Sequence, residues 1–264
     1  GYAGIDKVSL KKLENSICRF KLKDSLKNGM RNLFHGSRWL GNDNIGIAWK
    51  GNRPYALAFT ADGNNAYLKK WESGKLFEIR FIDSPVESLS NLDYGSPEIV
   101  IEGDTHVLKW KGVKRCPVDL ELKLAFRDAG NEIGIGFHIA NRSGKQIVSL
   151  ALPCGWEERE RDHAEFILPA WVGVGIPLRG MKAVNVVSPG QLHSQWFGLQ
   201  DALGCSWMLY CNDTGYNLKG LNIKRDGALA DFFWKHELWL KPQRHYSSDY
   251  ETIIKFWDHA DWNT

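Results

Sequence analysis

The side chains able to move protons near neutral pH fall in two short stretches. His193 lies beside Gln195 and Trp196, at the start of a run that carries Asp213 and Lys219 further on, and His236-Glu237 follows on an aromatic-rich segment. His138 stands apart, well upstream. A histidine and a carboxylate that converge on one pocket, with pKa values tuned apart, can shuttle protons on a bound substrate. His236 and Glu237 make a poor pair, because neighbours on a strand point to opposite faces. Asp213 sits in Asn212-Asp213-Thr214-Gly215, where turn formation is the simpler role. A polar contact with Lys219 is the alternative.

Aromatic residues are the compositional outlier, with 12 Trp, 8 Tyr and 12 Phe. Any single Trp more often fills a core than a binding site. Trp171 and Trp196 are the candidates for exposed platforms, where a flat ring would meet the C–H face of a pyranose.

Glu157, Glu158, Glu160 and Asp162, followed by His163, crowd one highly charged segment. Such oxygens can bind Ca2+. The spacing matches no calcium loop, and Arg159 and Arg161 interrupt it, so a solvated charged loop is expected. The five cysteines, Cys18, Cys116, Cys154, Cys205 and Cys211, are odd in number and lack CxxC spacing, which argues against a zinc site or a dense disulfide framework. No metal and no cofactor is expected.

The elements that must position these residues read as strands. Cys205–Cys211 is almost continuously apolar and bounded by turns, as in a strand buried on both faces. With His193–Leu199 before it and Leu218–Lys224 after it, it forms a three-strand meander. Val118–Phe126 and Glu132–Ile139 alternate apolar and polar residues around a short polar turn, which predicts a hairpin. Asp83–Pro97, rich in Ser, Asn, Asp and Pro, reads as a long surface loop, and Pro153 as the end of the strand Gln146–Leu152. Ala228–Leu240 is a long aromatic strand or a bent pair. Apolar residues at Tyr250, Ile253, Ile254 and Trp257 follow i, i+3, i+4, i+7 spacing and predict a short amphipathic helix. Turns recur every ~8–12 residues, giving about 16 to 18 strands and an all-β, large antiparallel sandwich with at most one or two short helices.

At 264 residues the chain is long enough for one large β domain. Hydrophobic residues make up 43% and charged residues 25%, ordinary for a globular protein. A net charge of +3, with both signs interspersed, argues against nucleic acid. No segment reaches the ~20 consecutive apolar residues of a membrane span. The first residues, Gly1-Tyr2-Ala3-Gly4, lack a signal-peptide pattern, and the compartment stays open, exported or cytoplasmic.

The order of several motifs carries a resemblance. Ser188-Pro189-Gly190, Gln195-Trp196-Phe197, Asp201, Gly204 through Thr214-Gly215 and then Lys219 resemble the block "PG…Q…yyd…GLYL…D…G…K" of the N-terminal β-supersandwich domain of certain bacterial glycoside hydrolases, the endo-α-N-acetylgalactosaminidases among them. Ile167-Leu168-Pro169-Ala170-Trp171-Val172-Gly173 is similar to their "l-l-P-x-x-x-G", and Leu13-Glu14-Asn15 to the "L-E-N" that opens such domains. Ala260-Asp261-Trp262 stands where relatives carry "GDW". The resemblance implies a fold related to galactose mutarotase, with the supersandwich at 1–249 and a short helical element at 250–264 leading towards a catalytic (β/α)8 barrel in the same or a separate chain.

In those relatives the catalytic carboxylates lie in the barrel, so none carries over to this chain. The resemblance therefore implies a non-catalytic module of a carbohydrate-active enzyme. Its partners would be the barrel and a glycan, with Trp171, His193, Gln195, Trp196, Asp213, Lys219 and His236 as candidates for touching sugar. The alternative is a self-contained sugar-active enzyme of the mutarotase, epimerase or lyase kind, using His and carboxylate side chains on the concave face. A lectin-like protein is a third reading.

Overall fold

A computed structural model describes residues 17–21, 36–60, 65–82, 88–113, 117–127, 131–160, 162–169, 174–192, 194–201, 205–227 and 229–258. Among them every regular element is a β-strand except one 3-10 turn, Asn91–Asp93. Three antiparallel sheets result, in keeping with the all-β sandwich expected.

The five-stranded sheet runs in the order β1 (Ile17–Lys21), β5 (Asn65–Lys70), β4 (Arg53–Thr60), β3 (Ile45–Lys50), β2 (Arg38–Gly41). The six-stranded sheet runs β15 (Val184–Ser188), β18 (Lys219–Asp226), β19 (Leu229–Leu240), β12 (Ile147–Arg159), β6 (Glu78–Phe81), β7 (Ser88–Ser90). The ten-stranded sheet runs β14 (Val174–Pro177), β13 (Ala164–Leu168), β16 (Trp196–Asp201), β17 (Cys205–Cys211), β21 (Thr252–Asp258), β11 (Glu132–Asn141), β10 (Val118–Arg127), β9 (Thr105–Trp110), β8 (Glu98–Glu102), with β20 (Arg244–Ser247) also paired to β11.

Alternation explains how the sheets meet. In β10 the residues Val118, Leu120, Leu122, Leu124 and Phe126 are buried, and the intervening ones are not, so one face of the hairpin turns inward. Side chains of all three sheets join one core. Trp156 and Phe232 of the six-stranded sheet meet Trp207 of the ten-stranded sheet edge-on, at 5.7 and 5.2 Å between ring centroids. Phe59 of the five-stranded sheet stacks on Phe256 of the ten-stranded sheet at 4.6 Å. Such aromatic contacts contribute beyond the area they bury. Cys154 and Cys211 are buried and free, as small apolar side chains.

Three local expectations are corrected. The helix expected over Tyr250–Trp257, the start of the element placed at 250–264, is instead the strand β21, between β17 and β11. Ile253, Ile254 and Phe256 are all buried because the strand is covered on both faces, and that erases the two-residue period. The chain does not leave the sheet at Pro153: β12 continues to Arg159, with a register shift between Leu152 and Trp156. Nor is Asp83–Pro97 wholly a surface loop. Leu89 and Asn91 are fully buried, and the Asn91 side chain accepts from Leu76 N at 2.6 Å and donates to Asn52 O and Gly74 O at 2.9 Å each.

Candidate functional site

The turn between β17 and β18 folds around the Asp213 carboxylate. Gly215 N donates to Oδ1 at 2.8 Å, Asn217 N to Oδ2 at 2.7 Å, and Asn217 Nδ2 to Oδ1 at 3.0 Å. Lys219 Nζ pairs with Oδ2 and donates to Asn217 O at 3.0 Å. Turn formation and the contact with Lys219, alternatives in the sequence, are therefore one arrangement. Both side chains are buried. Burial pushes the Asp213 pKa up, but the Lys219 hydrogen bond and charge outweigh it and hold the carboxyl below its usual range.

The pair extends into a network between the six- and ten-stranded sheets. Lys219 Nζ sits 4.2 Å from the centre of the Tyr250 ring, a cation–π distance. The Tyr250 hydroxyl lies 2.8 Å from His236 Nδ1, and Thr252 Oγ1 lies 3.2 Å from His236 Nε2. Cys211 Sγ reaches Thr252 Oγ1 at 3.6 Å. His236 is 1% exposed; burial, aided by the Lys219 charge, pushes its pKa down to about 3. It is a neutral imidazole engaged at both ring nitrogens. Burial also raises the Tyr250 hydroxyl, and lifts the Cys211 thiol to about 12.

The structure thus brings Asp213, Lys219 and His236 together, with Gln195 attached through Nε2 to Asp213 O at 2.8 Å. Trp196 is half-buried at the start of β16, paired with Tyr210. Trp171 and His193 lie outside the described residues. Glu237 faces away from His236 and pairs with Lys235 at 2.6 Å, as adjacency on a strand requires. His138 is on the outer side of β11, 2.7 Å from Ser247 Oγ. Tyr250, Thr252 and Cys211 were invisible to sequence reasoning as partners of His236, since the packing of one sheet's face on the other joins them.

A second buried ion pair corrects, at Glu158, the solvated loop expected around Glu157–Asp162, whereas Arg159 and Asp162 are exposed as expected. Glu158 is fully buried and accepts from Lys69 Nζ at 2.6 Å and from Trp207 Nε1 at 2.8 Å. Glu160 pairs with Arg225, Asp162 with Arg179, and His163 with Asp201. Among the described residues no cluster of three or more His, Cys, Asp or Glu could hold a metal.

The opposite, outer face of the six-stranded sheet holds a carboxylate pair that the sequence reading did not single out. Glu157 and Asp231 are register neighbours on β12 and β19. Burial, reinforced by mutual repulsion for Glu157, raises each to about 6. Elsewhere, a polar cleft of about 700 Å³ opens between Arg38, Trp39 and Asp43 on one side and Ile101, Asp104 and His106 on the other. None of the sequence-derived candidates among the described residues lines it.

No family model matches the sequence, and no curated protein matches it by sequence. Solved structures do match in shape. The α-N-acetylgalactosaminidase NagBb from Bifidobacterium bifidum, in complex with GalNAc, aligns with a TM-score of 0.58 at 16% identity, over 85% of this chain and 36% of that one. The fold is one that glycoside hydrolases contain. A variant of the α-galactosidase AgaA from Geobacillus stearothermophilus, in complex with stachyose, aligns with a TM-score of 0.53 at 9% identity, over 85% of this chain and 41% of that one. The Slr1438 protein from Synechocystis aligns with a TM-score of 0.53 at 11% identity, over 85% of this chain and 96% of that one. The chain therefore spans little more than a third of the glycosidases and nearly all of Slr1438. Among the described residues no helix is long and apolar enough to cross a membrane.

Proposed function

We propose that the chain is a non-catalytic module of a carbohydrate-active enzyme of the glycoside hydrolase kind, supporting a catalytic barrel and contacting glycan. One observation carries this reading. Among the described residues His236 is the one candidate histidine placed beside the Asp213–Lys219 pair; it is buried and bonded at both ring nitrogens, so no proton of a substrate can reach it without dismantling the core. A general base must lie within hydrogen-bond reach of the proton it takes. The Asp213 carboxylate is likewise consumed by the turn it organises. The network is built to hold two sheets in register.

The fold shared with NagBb and AgaA supports this role, and the GalNAc and stachyose bound to those enzymes suggest α-galactosyl or α-N-acetylgalactosaminyl glycans as the sugar class. The test is the intact mass of the protein from its native source, with co-purification from the same extract. A mass well above 30.0 kDa, or a glycosidase chain that co-purifies in fixed ratio, is expected. A mass of 30.0 kDa with no such companion would count against the module reading.

The alternative, a self-contained sugar-active enzyme, draws on one fact: Slr1438 has this fold over 96% of its own chain. It would need a base other than His236, and the Glu157–Asp231 pair is where that base would be sought.

A further inference from the structure

The β19 strand contains an unusual placement of a tryptophan. β12 and β19 pair Ile147 with Leu240 and Ser149 with Glu237, so β19 advances three residues where β12 advances two. The extra residue makes a bulge. Trp239 occupies it in the left-handed region, with φ of 47°, and is 53% exposed. Glycine or asparagine ordinarily takes such a position, because a Cβ there is strained. Trp239 stands out from seven other tryptophans, Trp39, Trp49, Trp71, Trp110, Trp156, Trp207 and Trp234, which are buried. Backbone strain of this kind persists where the surroundings hold it, and it clusters at functional sites.

A second strained aromatic emerges at the same end of the same strand pair. Lys219 pairs with His236, and Glu237 N donates to Leu218 O at 3.1 Å, extending the ladder by one step. From there Trp239 lies two residues along β19, and Tyr216 two residues back into the β17–β18 turn. Tyr216 also has a left-handed φ, 52°, and is 69% exposed; Leu218 is 47% exposed. The Asp213 carboxylate, locked by Lys219, grips Gly215 N and Asn217 N on either side of Tyr216. The buried pair thereby positions an exposed aromatic.

We propose that Trp239 and Tyr216, with Leu218, form a carbohydrate-stacking platform that receives pyranose rings of a glycan. This rests on the reading of the chain as a module of a sugar enzyme. Aromatic faces present a flat apolar surface to the C–H side of a sugar, while hydroxyls need donors and acceptors at the rim. The rim is supplied by the Lys235–Glu237 pair and the exposed Lys241. The three apolar side chains expose roughly 400 Å² together, about half of the ~800 Å² per partner that a stable protein interface buries. The size suits a short oligosaccharide better than a second protein.

The test is affinity electrophoresis of the full chain in native gels containing galactomannan or gastric mucin, with melting temperatures recorded in parallel. Trp239→Gly should cut retardation at least tenfold without lowering Tm, since glycine relieves the left-handed strain. Tyr216→Ala, at a position outside the core, should also weaken retardation several-fold. Wild-type retardation by either glycan, lost in both variants at unchanged Tm, supports the platform. No wild-type retardation by either glycan, or variants retarded like wild type, would overturn it. So would self-association of the wild type that Trp239→Gly abolishes, because a second copy would then cover the patch. The outcome is separable from the module reading: a chain that itself interconverts sugar anomers would sink that reading while leaving any Trp239-dependent retardation intact.

Discussion

Lys69 Nζ lies 2.6 Å from Glu158 Oε1, with the two side chains 3% and 0% exposed. Lys69 belongs to the five-stranded sheet and Glu158 to the six-stranded one, and Trp207 of the ten-stranded sheet donates to the same carboxylate oxygen at 2.8 Å. One carboxylate therefore ties all three sheets. Lys69 also donates to Glu157 O at 2.7 Å and sits 4.8 Å from the centre of the Trp156 ring. A pair this deep is weak evidence for net stability, but breaking one side of it is costly.

Glu158→Gln should therefore destabilise the chain by about 3–5 kcal/mol, because Lys69 is left charged and buried. Adding Lys69→Met should recover part of the loss, since glutamine Oε1 can still accept from Trp207. Urea unfolding midpoints of the two variants check this, and a double variant no more stable than the single one would contradict it.

The Asp213–Lys219 pair gives stability a definite acid limb. The folded carboxyl is held below its unfolded value of about 3.9, so its contribution is present above that pH and lost as pH falls through the lower folded value. Asp213→Asn should cost about 3–5 kcal/mol at neutral pH and flatten this limb. Unfolding free energies of both proteins, followed from pH 7 downwards, would show it.

Asp231 acts in the opposite sense. Its folded pKa is raised to about 6, and its Oδ1 is buried without a hydrogen-bond partner. The stability it contributes is therefore greatest below the unfolded value and is lost as pH rises from about 4 to 6. Asp231→Asn should leave stability at pH 4 nearly unchanged and raise it at pH 7, by on the order of 1–3 kcal/mol. Equal effects at both pH values would show that Asp231 is ordinarily ionised in the fold.

His236 should not titrate between pH 5 and 8. Burial holds its folded pKa at about 3 against an unfolded value of about 6.5, so the stability it contributes is complete above the latter and declines as pH falls through that window. Its imidazole NMR resonances should stay flat across pH 5–8, whereas a transition near 6.5 would mean the ring is open to solvent.

Much of the fold was legible because its strands obey local rules. Cys205–Cys211 and the Val118/Glu132 hairpin fall where turn residues and alternation put them. The failures share a cause. Ile253 and Ile254 imitate a helix because a strand covered on both faces needs no alternation. Glu158 reads as solvated because its partner, Lys69, is 89 residues away in sequence, and nothing local announces it. The Asp213–Lys219 contact was visible through close spacing, but the burial of His236 was not: Phe137 of β11, Tyr250 in the bend before β21 and Thr252 of β21 enclose it from the facing sheet. Trp239 gave no local signal either, because its bulge is a matter of register with β12.

The most direct test of the central claim is anomer interconversion. Freshly dissolved α-galactose and α-N-acetylgalactosamine would be followed by polarimetry with the purified chain at micromolar concentration. A module in which His236 is sealed in the core should leave both at the buffer rate. An acceleration proportional to protein concentration would contradict it and make the chain an enzyme in its own right.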